Sequence, residues 1–106
     1  MIKELSLIIP VYNSEASLED LTEKLIRTLK ERYNNFEIIL INDASKDNSW
    51  KIVQKLCEKN KLIKGINLRK NVGQQNAIFA GLKNCNGKIR VTMDDDGQNL
   101  PESIPA

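Results

Sequence analysis

Phe36-Glu37-Ile38-Ile39-Leu40-Ile41-Asn42-Asp43 decides the fold class, because a nearly continuous apolar run ends abruptly in two polar residues. Strict apolar/polar alternation is absent, so both faces of this strand must be covered, as in a parallel sheet flanked by helices. Leu5 to Ile9 is a second run of the same kind, and Pro10 is expected to stop it. Between the two runs Leu18, Leu21, Leu25 and Leu29 recur at helical spacing. Ser14 and Ser17 are candidate N-caps, and Arg27, Lys30 and Arg32 gather toward the carboxyl end, where cations suit the helix dipole.

The same alternation continues. Ser45 or Asp47 is expected to cap a second helix with Trp50, Val53, Leu56 and Cys57 on its inner face, ending near Lys59-Asn60. A third strand, about Ile63 to Leu68, contains Gly65 and Asn67 and is best suited to a sheet edge. Ala77, Ile78, Gly81, Leu82 and Cys85 form a third helical stripe, closed by Asn86-Gly87. Ile89 to Met93 then reads as a buried fourth strand. The order β-α-β-α-β-α-β predicts a doubly wound α/β domain, a parallel sheet with helices on both faces. Ligand sites in such sheets lie at the carboxyl ends of the strands.

A chain of 106 residues is about one domain. Its formal charge of +2, from 16 basic and 14 acidic residues, creates no strong field, and its lysines are scattered, so nucleic-acid binding has no support. No apolar stretch approaches the roughly 18 to 20 residues of a membrane span, and no signal-peptide pattern leads the chain, so it reads as cytoplasmic. Cys57 and Cys85 have no metal or redox spacing and are expected to be small core residues in a reducing compartment. The absence of histidine removes the commonest general base and zinc ligand.

Four loops collect the unusual residues at one rim: Pro10-Val11-Tyr12-Asn13, Asn42-Asp43-Ala44-Ser45, Arg69-Lys70-Asn71-Val72-Gly73 and Asp94-Asp95-Asp96. Side chains alternate along a strand, so Asp94 and Asp96 share one side while Asp95 points away. That pair suits a hard cation, magnesium or manganese, with substrate phosphate completing its coordination. An acidic solvated turn is the plain alternative. Asp43 can accept a bond from a base N–H or a ribose hydroxyl, or it can be a turn and cap residue. Tyr12 can lie against a base, with backbone groups of Pro10 and Val11 at its edge, or can cover the core. Arg69 can balance a diphosphate or be an ordinary surface charge, and Gly73 permits close backbone approach. No glycine-rich phosphate loop is present, which makes a metal the natural holder of a diphosphate.

With Ile8-Ile9-Pro10-Val11-Tyr12-Asn13-Ser14-Glu15, Ile41-Asn42-Asp43-Ala44-Ser45-Lys46-Asp47, Arg69 to Ala77 and Asp94 to Glu102 in this order, the chain resembles the amino-terminal half of a family 2 glycosyltransferase of the GT-A fold. Gln98-Asn99-Leu100-Pro101-Glu102 resembles the branch containing dolichol-phosphate mannose synthases and undecaprenyl-phosphate sugar transferases. The resemblance implies transfer of a sugar from a UDP- or GDP-linked donor to a polyprenyl phosphate or growing glycan in cell-envelope synthesis. It implies a donor site of Pro10, Val11, Tyr12, Glu15, Asp43, Arg69, Asp94 and Asp95, with manganese or magnesium on Asp94 and Asp96.

Ala44 stands where the family usually has glycine, and Gly97 where an apolar residue is common. The resemblance also implies that the catalytic base and the acceptor half lie beyond Ala106, with no catalytic base among these residues. Residues 1–106 are accordingly expected to be a truncated, donor-binding half with little turnover of its own. The full-length protein is expected at the cytoplasmic face of the membrane, and the uncovered sheet edge is a candidate surface for a homodimer. Two other readings stay open: a nucleotidyltransferase or sugar-phosphate pyrophosphorylase, which would want a glycine-rich basic loop after the first strand, and a non-catalytic nucleotide- or partner-binding module.

Overall fold

The structure is a computed structural model and describes residues 3–93. Its elements alternate as β1 (Lys3–Val11), α1 (Leu18–Arg32), β2 (Phe36–Asn42), α2 (Ser49–Lys59), β3 (Ile63–Asn67), α3 (Gln74–Lys83) and β4 (Gly87–Thr92). The strands pair in parallel in the order β3-β2-β1-β4, so the two most apolar runs occupy the centre and β3 the expected edge.

The period of two along each strand divides the core between the faces. Leu5, Leu7, Ile9 and Val11 join Phe36, Ile38 and Leu40 under the leucines of α1 and under Val53 and Leu56 of α2. Ile8, Ile39 and Ile41 point the other way and meet Ala77, Ile78 and Leu82 of α3. Each such fully buried side chain contributes about 1.5–3 kcal/mol. Two glycines set how closely the helices approach. A Cβ on Gly81 would stand 2.6 Å from Ile8 Cγ2, and one on Gly65 would stand 2.7 Å from Val53 Cγ1. Gly65 therefore seats α2 on the edge strand.

Several local expectations are corrected. Pro10 does not stop β1, which continues to Val11 with Pro10 abreast of Ile41. The carbonyl of Ile8 accepts the Met93 N–H on the β4 side, and Pro10, two residues on, turns its missing donor to that same side. The β1–β2 ladder is thereby spared. β4 is not a buried strand: Lys88, Ile89 and Arg90 are exposed, and only Val91 packs partly against the larger core cluster. Among the described residues β4 is an edge strand with β1 as its neighbour, which leaves most of its surface uncovered.

The predicted caps also shift. Ser17 occupies the N-cap position of α1 without a side-chain cap bond, and the Ser14 carbonyl instead accepts the N–H groups of Ser17 and Leu18. Asn48, not Ser45 or Asp47, precedes α2, although Asp47 Oδ1 accepts the Ser49 N–H at 2.9 Å. Cys85 lies just past α3 yet remains in the core, while Cys57 is half-buried; both are free thiols. Burial, and then the negative charge of Glu58, push the Cys57 thiol up, which keeps it protonated and unreactive. Among the described residues no helix is long and apolar enough to cross a membrane.

One charge sits inside the sheet. Glu37, 1% exposed, accepts the Ser6 hydroxyl and the Asn86 N–H on Oε2, each at 2.6 Å, while Lys64 Nζ lies 2.8 Å from Oε1. Ser6 Oγ in turn accepts the Gly87 N–H at 2.7 Å. This carboxylate ties β1, β2 and β3 to the start of β4 at the pole opposite the polar rim. Burial works to raise its pKa, but the bonds from Lys64, Ser6 and Asn86 outweigh it and hold Glu37 below the usual value.

Candidate functional site

The carboxyl ends of the strands are joined to one another by backbone bonds that continue beyond the ladders. Asp43 donates its N–H to Val11 at 2.9 Å, Leu68 donates to Asn42 at 2.9 Å, and Met93 donates to Ile8 at 3.1 Å. Asn42, itself buried, adds a side-chain bond from Nδ2 to Asn67 Oδ1 at 2.9 Å. Tyr12 and Asp43 therefore emerge side by side, Tyr12 with 44% of its surface exposed and Asp43 with 4%. Arg69 follows from the neighbouring tip and is exposed. Met93 brings β4 to the same rim, and Asp94, Asp95 and Asp96, which come next in sequence, lie outside the described residues.

The loops after β1 and β2 are bound to each other residue by residue. Asn13 donates its N–H to Ser45 Oγ at 3.1 Å and accepts the Lys46 N–H at 2.8 Å. Ser14 donates to the buried Ser49 Oγ at 2.8 Å. Glu15 donates its N–H to Asp47, and its carboxylate accepts both the N–H and the side-chain amide of Asn48, each at 3.2 Å. Burial opposes ionisation of Asp47, but donors from Ser49 and Glu15 prevail and hold its carboxyl below the usual value. The geometry thus uses Glu15 to join the two loops just ahead of α2. Asn13, Ser45, Asp47 and Ser49 form the frame under the rim, a role that sequence reading did not give them. The only signal was the density of short polar side chains in both loops, since such residues bond readily to nearby backbone.

Asp43 serves a third loop. Its Oδ1 accepts the Val72 N–H at 2.8 Å and its Oδ2 the Gly73 N–H at 3.1 Å, while its carbonyl accepts Asn71 Nδ2 at 3.2 Å. Asp43 thus holds a loop about thirty residues away, a role that differs from the local turn and cap alternative, and each carboxylate oxygen keeps a further lone pair for a ligand donor. Gly73 stands at φ 90, ψ 156, a region only glycine occupies readily.

Ala44 has φ 55, in the left-handed region that favours glycine. Ala44→Gly is expected to raise the urea midpoint with an unchanged slope. Relief of roughly 1–2 kcal/mol of strain exceeds the unfolded-state entropy that glycine adds, about 0.4–1 kcal/mol. Ala44→Val should lower the midpoint.

The polar loops of this parallel α/β unit converge on the carboxyl rim, the region where ligands usually bind in such sheets. The chain belongs to glycosyl transferase family 2, whose profile matches residues 6–106. It is 42% identical, over 98% of its length, to an undecaprenyl-phosphate 4-deoxy-4-formamido-L-arabinose transferase of Proteus mirabilis, and 40% identical to the protein of that name from Pseudomonas savastanoi. The chain spans about a third of the length of these curated relatives, 32% and 31% respectively.

Among solved structures it is similar to S. aureus TarS 1-349 in complex with UDP-GlcNAc, with a TM-score of 0.72 and 28% identity over 88% of this chain and 26% of that one. A mannosyltransferase from Pyrobaculum calidifontis, solved with GDP-Man and Mn2+, shares the fold with a TM-score of 0.78 at 20% identity, over 91% of this chain and 28% of that one.

Proposed function

We propose that residues 1–106 are the donor-binding half of a metal-dependent glycosyltransferase. It moves a sugar from a UDP- or GDP-linked donor to a polyprenyl phosphate in cell-envelope synthesis, at the cytoplasmic face of the membrane. The observation that carries this reading is the placement of exposed Tyr12 and buried Asp43 on adjoining strand tips, with the Arg69 loop held on Asp43. The relatives named as undecaprenyl-phosphate transferases support the acceptor class, and the neighbours solved with UDP-GlcNAc and with GDP-Man support the donor class.

In this reading the Tyr12 ring lies against the base, the backbone of Pro10 and Val11 borders it, and a free lone pair of Asp43 accepts a base or ribose donor. Arg69 offsets diphosphate charge from the exposed side of the rim. Asp94 and Asp96 supply hard carboxylate oxygens directly after Met93, whose bond to Ile8 fixes β4 beside the β1 tip; this donor set suits manganese or magnesium. Such a cation, when bound, stabilises the departing diphosphate as a Lewis acid. Asp95 borders the donor, and Glu15 contributes by holding two of the loops together.

Calorimetric titration of UDP and GDP, each with and without manganese, tests the proposal. One nucleotide is expected to bind with an affinity that manganese raises. Absence of binding of either by the folded chain would refute a donor site in these residues.

A further inference from the structure

Among the described residues, Asp43 is the one side chain at the rim that is both nearly fully buried and bonded to two successive backbone amides of another loop. Those amides belong to Val72 and Gly73, at the end of the segment that begins with Arg69 and at the start of α3. Resting on the donor-site reading above, we propose that Asp43 is a positioning residue for the diphosphate-binding segment, in addition to any bond it makes to the base. The carboxylate holds residues 72 and 73 in place, and through them sets where Arg69 stands.

The physical basis is the donor count. A carboxylate only accepts, so it satisfies both N–H groups at once, whereas an amide at this position must turn an NH2 donor toward one of them. Gly73 adds a second requirement, because its backbone at φ 90 and ψ 156 is available to glycine and strained for other residues. Asn71 Nδ2, bonded to the Asp43 carbonyl at 3.2 Å, completes a three-point attachment of this loop to one residue. Base recognition and diphosphate grip are then not independent, since one side chain serves both.

Inorganic diphosphate, which has no base, separates the two roles. The chain, Asp43→Asn and Gly73→Ala are titrated with diphosphate and with uridine or guanosine in the presence of manganese, and amide hydrogen exchange is recorded at residues 72 and 73. Asp43→Asn should weaken diphosphate binding about tenfold, on the order of one lost charge-assisted contact, and should weaken the nucleoside as well. It should also speed exchange at both amides. Gly73→Ala keeps the Asp43 carboxylate and should weaken diphosphate while sparing the nucleoside. Diphosphate affinity unchanged in Asp43→Asn, or equal exchange at both amides in all three proteins, would overturn the positioning role. If the unsubstituted chain binds neither probe, the donor-site reading fails instead, and the exchange data still decide whether Asp43 holds the loop. Should Asp43→Asn not fold, Gly73→Ala carries the test alone, with unchanged diphosphate affinity and unchanged exchange as the refuting result.

Discussion

Glu37→Ala is expected to remove about 3 kcal/mol of folding stability, measured as a fall in urea midpoint. Two donors, the buried Ser6 hydroxyl and the part-buried Asn86 N–H, lose their common acceptor. A buried group left without a partner costs roughly 1–3 kcal/mol. Lys64 adds little to the loss, because its side chain is 44% exposed and can turn to solvent. Against a typical total of about 5–15 kcal/mol the effect is large, and it falls on the start of β4. Glu37→Gln separates charge from shape. An amide oxygen in the position of Oε2 still accepts from Ser6 and Asn86, so its cost should be about 1 kcal/mol.

The pH dependence follows from the same contacts. The folded-state pKa of Glu37 is lowered from the ordinary 4.5, with burial opposing and the bonds from Lys64, Ser6 and Asn86 prevailing. The carboxylate therefore contributes stability that is complete above the ordinary value and is lost as pH falls through the lowered one. The difference in unfolding free energy between the unsubstituted chain and Glu37→Gln should be flat at neutral pH and shrink in acid. A difference that widened in acid would mean that the charge is not stabilised in the fold.

The alternation of elements and the two-sided core were legible because they depend on side-chain period, which survives in the sequence. Leu5 to Ile9 and Phe36 to Ile41 read as strands covered on both faces for want of alternation, and both are buried on both faces at the centre of the sheet. The limits of β1 were not legible, because the cost of a proline depends on which neighbour its nitrogen faces, a property of the register. The burial of β4 was misjudged for a related reason: apolar content in Ile89 to Met93 says nothing about whether a strand lies at an edge. At the rim, Tyr12, Asp43 and Arg69 could be found by strand-end logic. The bonds that take up Glu15 and half of the Asp43 lone pairs could not, since they join residues about thirty apart. Glu37 and Ser6 each interrupt an apolar run, but sequence reading singled out neither, and pairing them required the register that sets Ser6 abreast of Glu37.

Asp94→Ala/Asp96→Ala is expected to abolish the manganese-dependent part of nucleoside diphosphate affinity, a loss of at least about 100-fold if both carboxylates are direct ligands. The sign without metal distinguishes a ligand role from a general disturbance of the rim. Two carboxylates near a diphosphate repel it, by about 4 kcal/mol for each pair of unit charges at 4 Å in a surface-like dielectric, and less with distance and salt. Their removal should leave metal-free UDP or GDP affinity unchanged or higher. A substitution that merely disordered the rim would lower affinity with and without manganese alike. The stability of the variant should also stay near that of the unsubstituted chain, because the bond from Met93 to Ile8 that seats β4 on β1 precedes the substituted residues. Equal loss in both titrations, or manganese dependence retained by the variant, would assign the cation to other groups and take the metal role away from Asp94 and Asp96.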